Sequence, residues 1–405
     1  MIRTLLLPLM PLLLLVGVAA LPAGGAARSP ADGLAAAARA RQWQLDALRL
    51  PEAWRSSRGE DVLVAVLDTG VRPHPDLTEA VRQGPDLTGV RRRAGLWGQH
   101  GTAMASLIAG RGHGDGKGVL GVAPAARLLS VRVTLESSDP LRDKQRGGGR
   151  DALARGIRYA VDQGADVISM SLGGGSGAWE GSAAEEEAVQ YAVSRGTVLV
   201  ASAGNDGATT NRKNFPAAYP GVIAVGAVDQ RLRPAPFSNR RDYLSVVAPG
   251  TGIVTAGPCG SYVVGDGTSS AAALVAGIAA LIKAAHPELS PFQVRRAIEL
   301  GTRRRPEGGY DSSYGHGVVN AALALRQAAR LAGPAPAPPI PGGRFGRFGH
   351  FGTSLPPERP WSRTPVVAGL LVLATVLATR VLVRHRRRTG PSAEGSAEGP
   401  GGYDA

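Results

Sequence analysis

Five short runs of almost unbroken apolar residues constrain this chain more than any other feature. They are "DVLVAVLD" (61–68), "ARLLSVRV" (126–133), "DVISMSL" (166–172), "TVLVASAG" (197–204) and "VIAVGAV" (222–228). A strand with one wet face alternates apolar and polar residues. An unbroken run suits a strand covered on both sides, as in a parallel sheet between two layers of helices. The stretches between and after the runs carry helical patterns, expected around 101–110, 151–163, 183–195, 269–285, 291–300 and 320–331. Ser290-Pro291 supplies a cap and a first-turn proline, and Asn320 is a second cap. The expected fold is α/β, a doubly wound, mostly parallel sheet with helices on both faces, between about residues 40 and 330.

Both ends address a membrane. Residues 1–27, "MIRTLLLPLMPLLLLVGVAALPAGGAA", place Arg3 before an apolar core that runs from Leu5 to Val18 and then small residues, the layout of a secretory signal peptide. Ala20 and Ala27 are both candidate cleavage points, and Pro8 and Pro11 make the stretch a poor spanning helix. Residues 365–383, "PVVAGLLVLATVLATRVLV", carry no charge before Arg380 and would span about 28 Å as a helix, roughly one hydrocarbon thickness. The basic "RHRRR" (384–388) that follows should stay cytoplasmic. Residues 333–364 are too rich in Pro and Gly to pack a core. The expected organisation is a signal peptide (1–27), an N-terminal extension (28–54), one folded domain (55–332), a linker (333–364), a C-terminal transmembrane helix (365–383) and a basic, disordered tail (384–405). The expected protein is single-pass in the cell membrane, with its bulk outside and its tail in the cytoplasm.

The formal charge of +14 raises nucleic-acid binding as a question. Only Lys117, Lys144, Lys213 and Lys283 are lysines, and the arginines are scattered apart from runs at 91–93, 303–305 and 386–388. No nucleic-acid motif accompanies them, so no nucleic-acid partner is expected. Cys259 is the one cysteine, which excludes an internal disulfide and a Cys-based metal site; a free, buried thiol is expected. No cofactor and no metal are assigned.

Polar residues recur where strands end and helices begin, the places where open α/β sheets put their sites. "VAVLDTGV" ends a buried strand with Asp68, which is costly to bury without a partner. "QHGTAMASLIAG" opens a helix at His100, "VASAGNDG" delivers Asn205 between glycines, and "GDGTSSAAALVAG" opens another helix at Ser269 or Ser270. Singly, each has a structural explanation as a cap or turn residue. Together they supply an orienting acid, a base, an oxyanion donor and a nucleophile, the set that acyl transfer needs.

The chain order Asp, His, Ser and the flanks "DTGV", "HGTAMA", "SAGND" and "GTSSAA" resemble those of subtilisin-type serine proteases, the subtilases of peptidase family S8. The resemblance implies a subtilisin-like fold and a role for each residue. Asp68 would orient His100, His100 would take the proton of Ser269, and Asn205 with the Ser269 amide would form the oxyanion hole. It also implies that "SMSLGGG" (169–175), with Ser171, Leu172 and Gly173, pairs with an extended substrate backbone. Ala201, Ser202, Ala203 and Gly204 would form the other wall of the specificity pocket. Calcium is common among subtilases, but "SSDPLRD" (137–143) and Asp115 match it weakly, and structural calcium stays unassigned. His74 and His286 precede prolines, His316 sits in a turn before the last helix, and His113 lies in a Gly-rich loop with no partner evident.

Longer blocks, "QWQLDALRLPEAW" (42–54), "GIRYAVDQGADVISMSLGG" (156–174) and "FPAAYPGVIAVGAVD" (215–229), together with the tail anchor, resemble the mycosins, membrane-anchored subtilases of type VII secretion systems. Two departures stand out: mycosins commonly carry disulfides, and "AAL" (272–274) lacks the proline that commonly follows the nucleophile motif. The resemblance implies an extension that wraps the catalytic domain. It also implies a membrane-anchored extracellular endopeptidase acting on polypeptide substrates, with the type VII secretion machinery as a partner. The alternative is a scaffold that stabilises a secretion complex, with proteolysis secondary. An esterase of the α/β-hydrolase kind fits poorly, because the chain order differs and no G-x-S-x-G surrounds Ser269.

Overall fold

The strand Leu63–Asp68 (β1) is buried along its whole length, and its side chains divide by parity. Val64 and Val66 join one apolar cluster, while Leu63, Ala65 and Leu67 join another on the opposite face. The same division recurs in the neighbouring strands: Val167, Val198, Val200, Ile223 and Val225 on one side, Ile168, Leu199, Val222 and Ala224 on the other. An unbroken apolar run therefore feeds two cores at once. The computed structural model describes residues 30–92, 97–114, 116–142, 151–173 and 181–333.

The later strands are β2 (Val81–Asp86), β3 (Arg111–His113), β4 (Lys117–Leu120), β5 (Arg127–Arg132), β6 (Val167–Met170) and β7 (Val198–Ser202). They continue with β8 (Val222–Val228), β9 (Val246–Pro249), β10 (Ile253–Ala256), β11 (Tyr262–Gly265), β12 (Thr302–Arg303) and β13 (Val318–Val319). Among the described residues the main sheet has nine strands in the order β12-β13-β9-β8-β7-β6-β1-β5-β2. Only the terminal β12–β13 pair in it is antiparallel. The chain adds strands on one side of β1 and then on the other, so the winding direction reverses at β1. That reversal opens a crevice at the carboxyl end of β1, where Asp68 stands.

The helices are α1 (Pro30–Ala40), α2 (Gln44–Ala47), α3 (Leu50–Ala53), α4 (Gln99–Ala109), α5 (Ala152–Asp162), α6 (Ala183–Ser194), α7 (Thr268–Ala285), α8 (Pro291–Leu300) and α9 (Ala321–Ala332). Apolar residues of α4, α7, α8 and α9 fill the first cluster, and those of α5 and α6 fill the second. The α7 helix packs across β6 to β9. It is apolar enough to cross a bilayer, with mean hydropathy 1.6, yet 83% of it is buried inside the domain. Gly277 explains how closely it packs, because a Cβ there would lie 2.5 Å from Val122 Cβ.

The five expected strands and six expected helices form within a few residues of their anticipated bounds, except that Ser171 and Leu172 lie past the end of β6. Strands β2 and β9, the β10–β11 hairpin and helices α1 to α3 were not anticipated. The strand β9 is only four residues long, and β2 is half-exposed, so neither makes the long apolar run that marked the others. Cys259 corrects an expectation. It is exposed rather than buried, because it sits at φ 53° in the turn Pro258–Gly260 joining β10 to β11.

The extension packs onto the domain. Leu48 and Leu50 are fully buried. Gln42 brackets Leu120, donating to its carbonyl and accepting from its amide at 2.9 Å each. Trp43 Nε1 donates to Thr251 O at 3.2 Å, and Leu48 O accepts the amide of Ala321. The expected signal peptide, transmembrane helix and tail lie outside the described residues, as does the linker beyond Gly333.

Candidate active site

Asp68 is the last residue of β1 and fully buried, so its carboxylate must be paired to be tolerated. Its partners are the imidazole of His100, with Nδ1 at 2.8 Å from Oδ1 and 2.9 Å from Oδ2, and the amide of Thr69, which donates at 2.6 Å. His100 is the second residue of α4. Gly101 beside it has a physical reason: a Cβ there would lie 2.1 Å from Gly70 O. The absence of a side chain lets α4 press against the end of β1.

The first-turn amides of α4 need acceptors. The cap residue Gly98 has no side chain to offer. Glu136, in the loop after β5, accepts from the amides of Gln99 at 2.6 Å and His100 at 3.2 Å through Oε1. Thr69 Oγ1 accepts from Gly101 at 3.1 Å. Burial acts to lower the proton affinity of His100. The charge of Asp68 and its hydrogen bond, with the charge of Glu136, outweigh burial and an opposing Arg142, so the imidazole pKa is raised above 6.5.

A second helix start completes the site. Asn205 follows β7, and its Oδ1 accepts from the amide and from the hydroxyl of Thr268, both at 2.9 Å. A backbone N–H can only donate, so this contact fixes which amide atom is oxygen and turns Nδ2 the other way. Ser269, second in α7, is half-buried, and Ser270 is buried. Ser269 Oγ lies 3.5 Å from Ser171 O, and Ser171 Oγ donates to Ser269 O at 3.0 Å. Asp68, His100, Asn205 and Ser269 line one cleft of about 550 Å³.

The family model for the subtilase family matches residues 59–317. The chain belongs to the subtilase family. Subtilisin Savinase from Lederbergia lenta is 37% identical over 285 residues, covering 70% of this chain and 98% of that protein. Fervidolysin from Fervidobacterium pennivorans is 34% identical over 318 residues, and this chain spans only 43% of its length. Among solved structures, the MycP3 protease from the type VII (ESX-3) secretion system superposes with a TM-score of 0.60 at 30% identity, over 70% of this chain and 88% of that one. This chain is thus a subtilisin-family serine peptidase, an enzyme that acts on polypeptides.

Of the residues expected to bind substrate, some line this cleft and others do not. Ser171, Leu172, Gly173, Ser202 and Gly204 line it. Ala201 and Ala203 instead point into apolar clusters, Ala201 at 0% exposure and Ala203 at 1%. Alternation along β7 turns Ala201 away from the cleft, a parity that the motif does not display. Residues 174–180 of the expected edge segment lie outside the described residues.

Asn214 was missed, although it ties the two walls together. Its Nδ2 donates to Ser202 O at 2.7 Å and Leu172 O at 3.3 Å, and it occupies the space where Gly173 would carry a Cβ. Its one sequence signal is a polar residue directly before "FPAAYP". Glu136 was also missed; it borders the cleft at 6% exposure.

The remaining histidines sit elsewhere. His74 and His113 both meet Asp76, and His113 Nδ1 lies 2.6 Å from Asp76 Oδ1, so His113 has the partner its loop context concealed. His286 lies 3.5 Å from Glu288, and His316 Nδ1 lies 3.1 Å from Gly309 O. Among the described residues no cluster of three His, Cys, Asp or Glu side chains is arranged to hold a metal ion.

Proposed function

We propose that this subtilase is a membrane-anchored serine endopeptidase that cuts extended polypeptide through Asp68, His100 and Ser269, beside a type VII secretion machinery. The observation that carries the catalytic part is the contact of buried Asp68 with His100 Nδ1 in a cleft that Ser269 and Asn205 also line. With Nδ1–H held by Asp68, Nε2 is the proton acceptor. It takes the hydroxyl proton as Ser269 Oγ attacks the substrate carbonyl carbon. Asn205 Nδ2 and the Ser269 amide, at the positive end of α7, hold the oxyanion. Collapse passes the proton from Nε2 to the departing amine and leaves an acyl ester on Oγ. Water then gives a proton to Nε2 and attacks that ester; Nε2 returns the proton to Oγ as the acid leaves, which restores the hydroxyl and the neutral imidazole.

The membrane part rests on the signal-like residues 1–27, the apolar residues 365–383 and the basic residues 384–388. The secretion part rests on the likeness to MycP3. A fluorophosphonate probe tests the chemistry: the native protein should be labelled and Ser269→Ala should not. Labelling that survives in Ser269→Ala would remove Ser269 as the nucleophile. Complementation tests the role: if Ser269→Ala restores secretion in a deletion strain as well as the native chain does, the protein serves as a scaffold.

A further inference from the structure

We propose that Glu136 is a positioning residue for His100, fixing the turn that carries the imidazole and keeping a second carboxylate charge close to it. The proposal rests on the reading of His100 as the base. Gly98, the cap residue before helix α4, adopts φ 71° and supplies no side-chain cap. Without another acceptor the amides of Gln99 and His100 would be unsatisfied beside a half-buried imidazole. Glu136 Oε1 takes both, reaching across from the loop after β5.

The anchoring is two-sided. Thr69, adjacent to Asp68, holds the amide of Gly101 through its hydroxyl, and Asp68 holds the ring. His100 is thus fixed through its backbone by one loop and through its side chain by the end of β1. A carboxylate placed on helix amides also faces the positive end of the helix, where a negative charge is favoured. The charges acting on His100 are Asp68 from β1 and Glu136 and Arg142 from the loop after β5. Asp266, before α7, borders the same cleft and accepts the amide of Gly252. Removing the Glu136 charge leaves Asp68 opposed by Arg142, so the imidazole should give up its proton more readily.

The full-length protein is tested by the rate of fluorophosphonate labelling of Ser269 from about pH 5 to 9, a readout that needs no known peptide substrate. Glu136→Gln keeps an oxygen for both amides and removes the charge. Its rate profile should shift toward acid by roughly half a unit to one unit. Glu136→Ala removes the cap as well and should lower the plateau rate by about tenfold or more. A Glu136→Gln midpoint that coincides with the native one overturns the proposal, whatever the alanine variant does. Native protein that takes no label, or labelling that survives Ser269→Ala, overturns instead the base-and-nucleophile reading beneath it.

Discussion

Asp68 and Asp76 are both fully buried, and each meets an imidazole closely, at 2.8 Å for His100 Nδ1 and 2.6 Å for His113 Nδ1. Their surroundings differ. Asp68 gives both oxygens to one ring, and that ring lines the cleft with its side chain 36% exposed. Asp76 divides its oxygens, Oδ1 between His113 and the Tyr262 hydroxyl and Oδ2 to the amide of Val119. His74, wholly buried, accepts the Asp76 amide on Nδ1, so its Nε2–H donates to Ser261 O at 3.1 Å. The residue types are the same, and what differs is the setting: His74 is engaged at both nitrogens, and His113, anchored at Nδ1 as His100 is, lies outside the cleft that Ser269 lines. An imidazole engaged at both nitrogens inside the protein is structural, whereas one anchored at Nδ1 in a cleft with a serine can move a proton.

That contrast can be broken by pairing the same substitution in both places. Above the folded-state pKa of His100, Asp68→Asn should leave thermal stability nearly unchanged while kcat falls about 10⁴-fold, because an amide favours the wrong tautomer of the proposed base. A peptide-hydrolysis assay beside a melting curve reads both. Asn205→Ala comes next, with kcat expected to fall about 10²–10³-fold and KM little moved; in subtilisin itself the loss of such a donor has an effect of that size.

Asp76→Asn should do the reverse of Asp68→Asn. Activity per folded molecule should persist, while unfolding in urea should show a loss of about 2–4 kcal/mol from the buried network. If Asp76→Asn instead abolishes turnover without loss of stability, the division between the two clusters fails. The smallest effect is in pH. The proposed base, His100, would work only when neutral, and its pKa is raised, so kcat/KM should climb with pH through a midpoint above 6.5. The same shift favours the folded state below the ordinary imidazole pKa, and that contribution is lost as pH rises through the folded-state value. A rate midpoint below 6.5 would contradict the electrostatic balance around His100.

Legibility followed physical scale. The strand 222–228 was readable because seven consecutive apolar residues have few other uses, and the α7 helix because its apolar pattern is long. Asp68, His100, Asn205 and Ser269 were readable because polar groups at strand and helix ends stand out against apolar runs. Glu136 and Asn214 stand in loops where a polar residue is ordinary, and only the fold shows that their side chains reach 37 and 42 positions along the chain, to Gln99 and Leu172. The extension was read as a wrap from resemblance alone; "PADGLAAAARA" shows a helix former without showing what it covers.

Arg39, on that extension, donates to Gly118 O at 2.8 Å and Lys117 O at 3.2 Å, where the charge of Asp76 acts on it. A positive charge at this seam is therefore a covalent part of the polypeptide. Diluting the protein, or changing the solutes around it, cannot carry that charge away. Cutting the chain after Arg39 would leave that charge on a separate fragment, held only by non-covalent contacts.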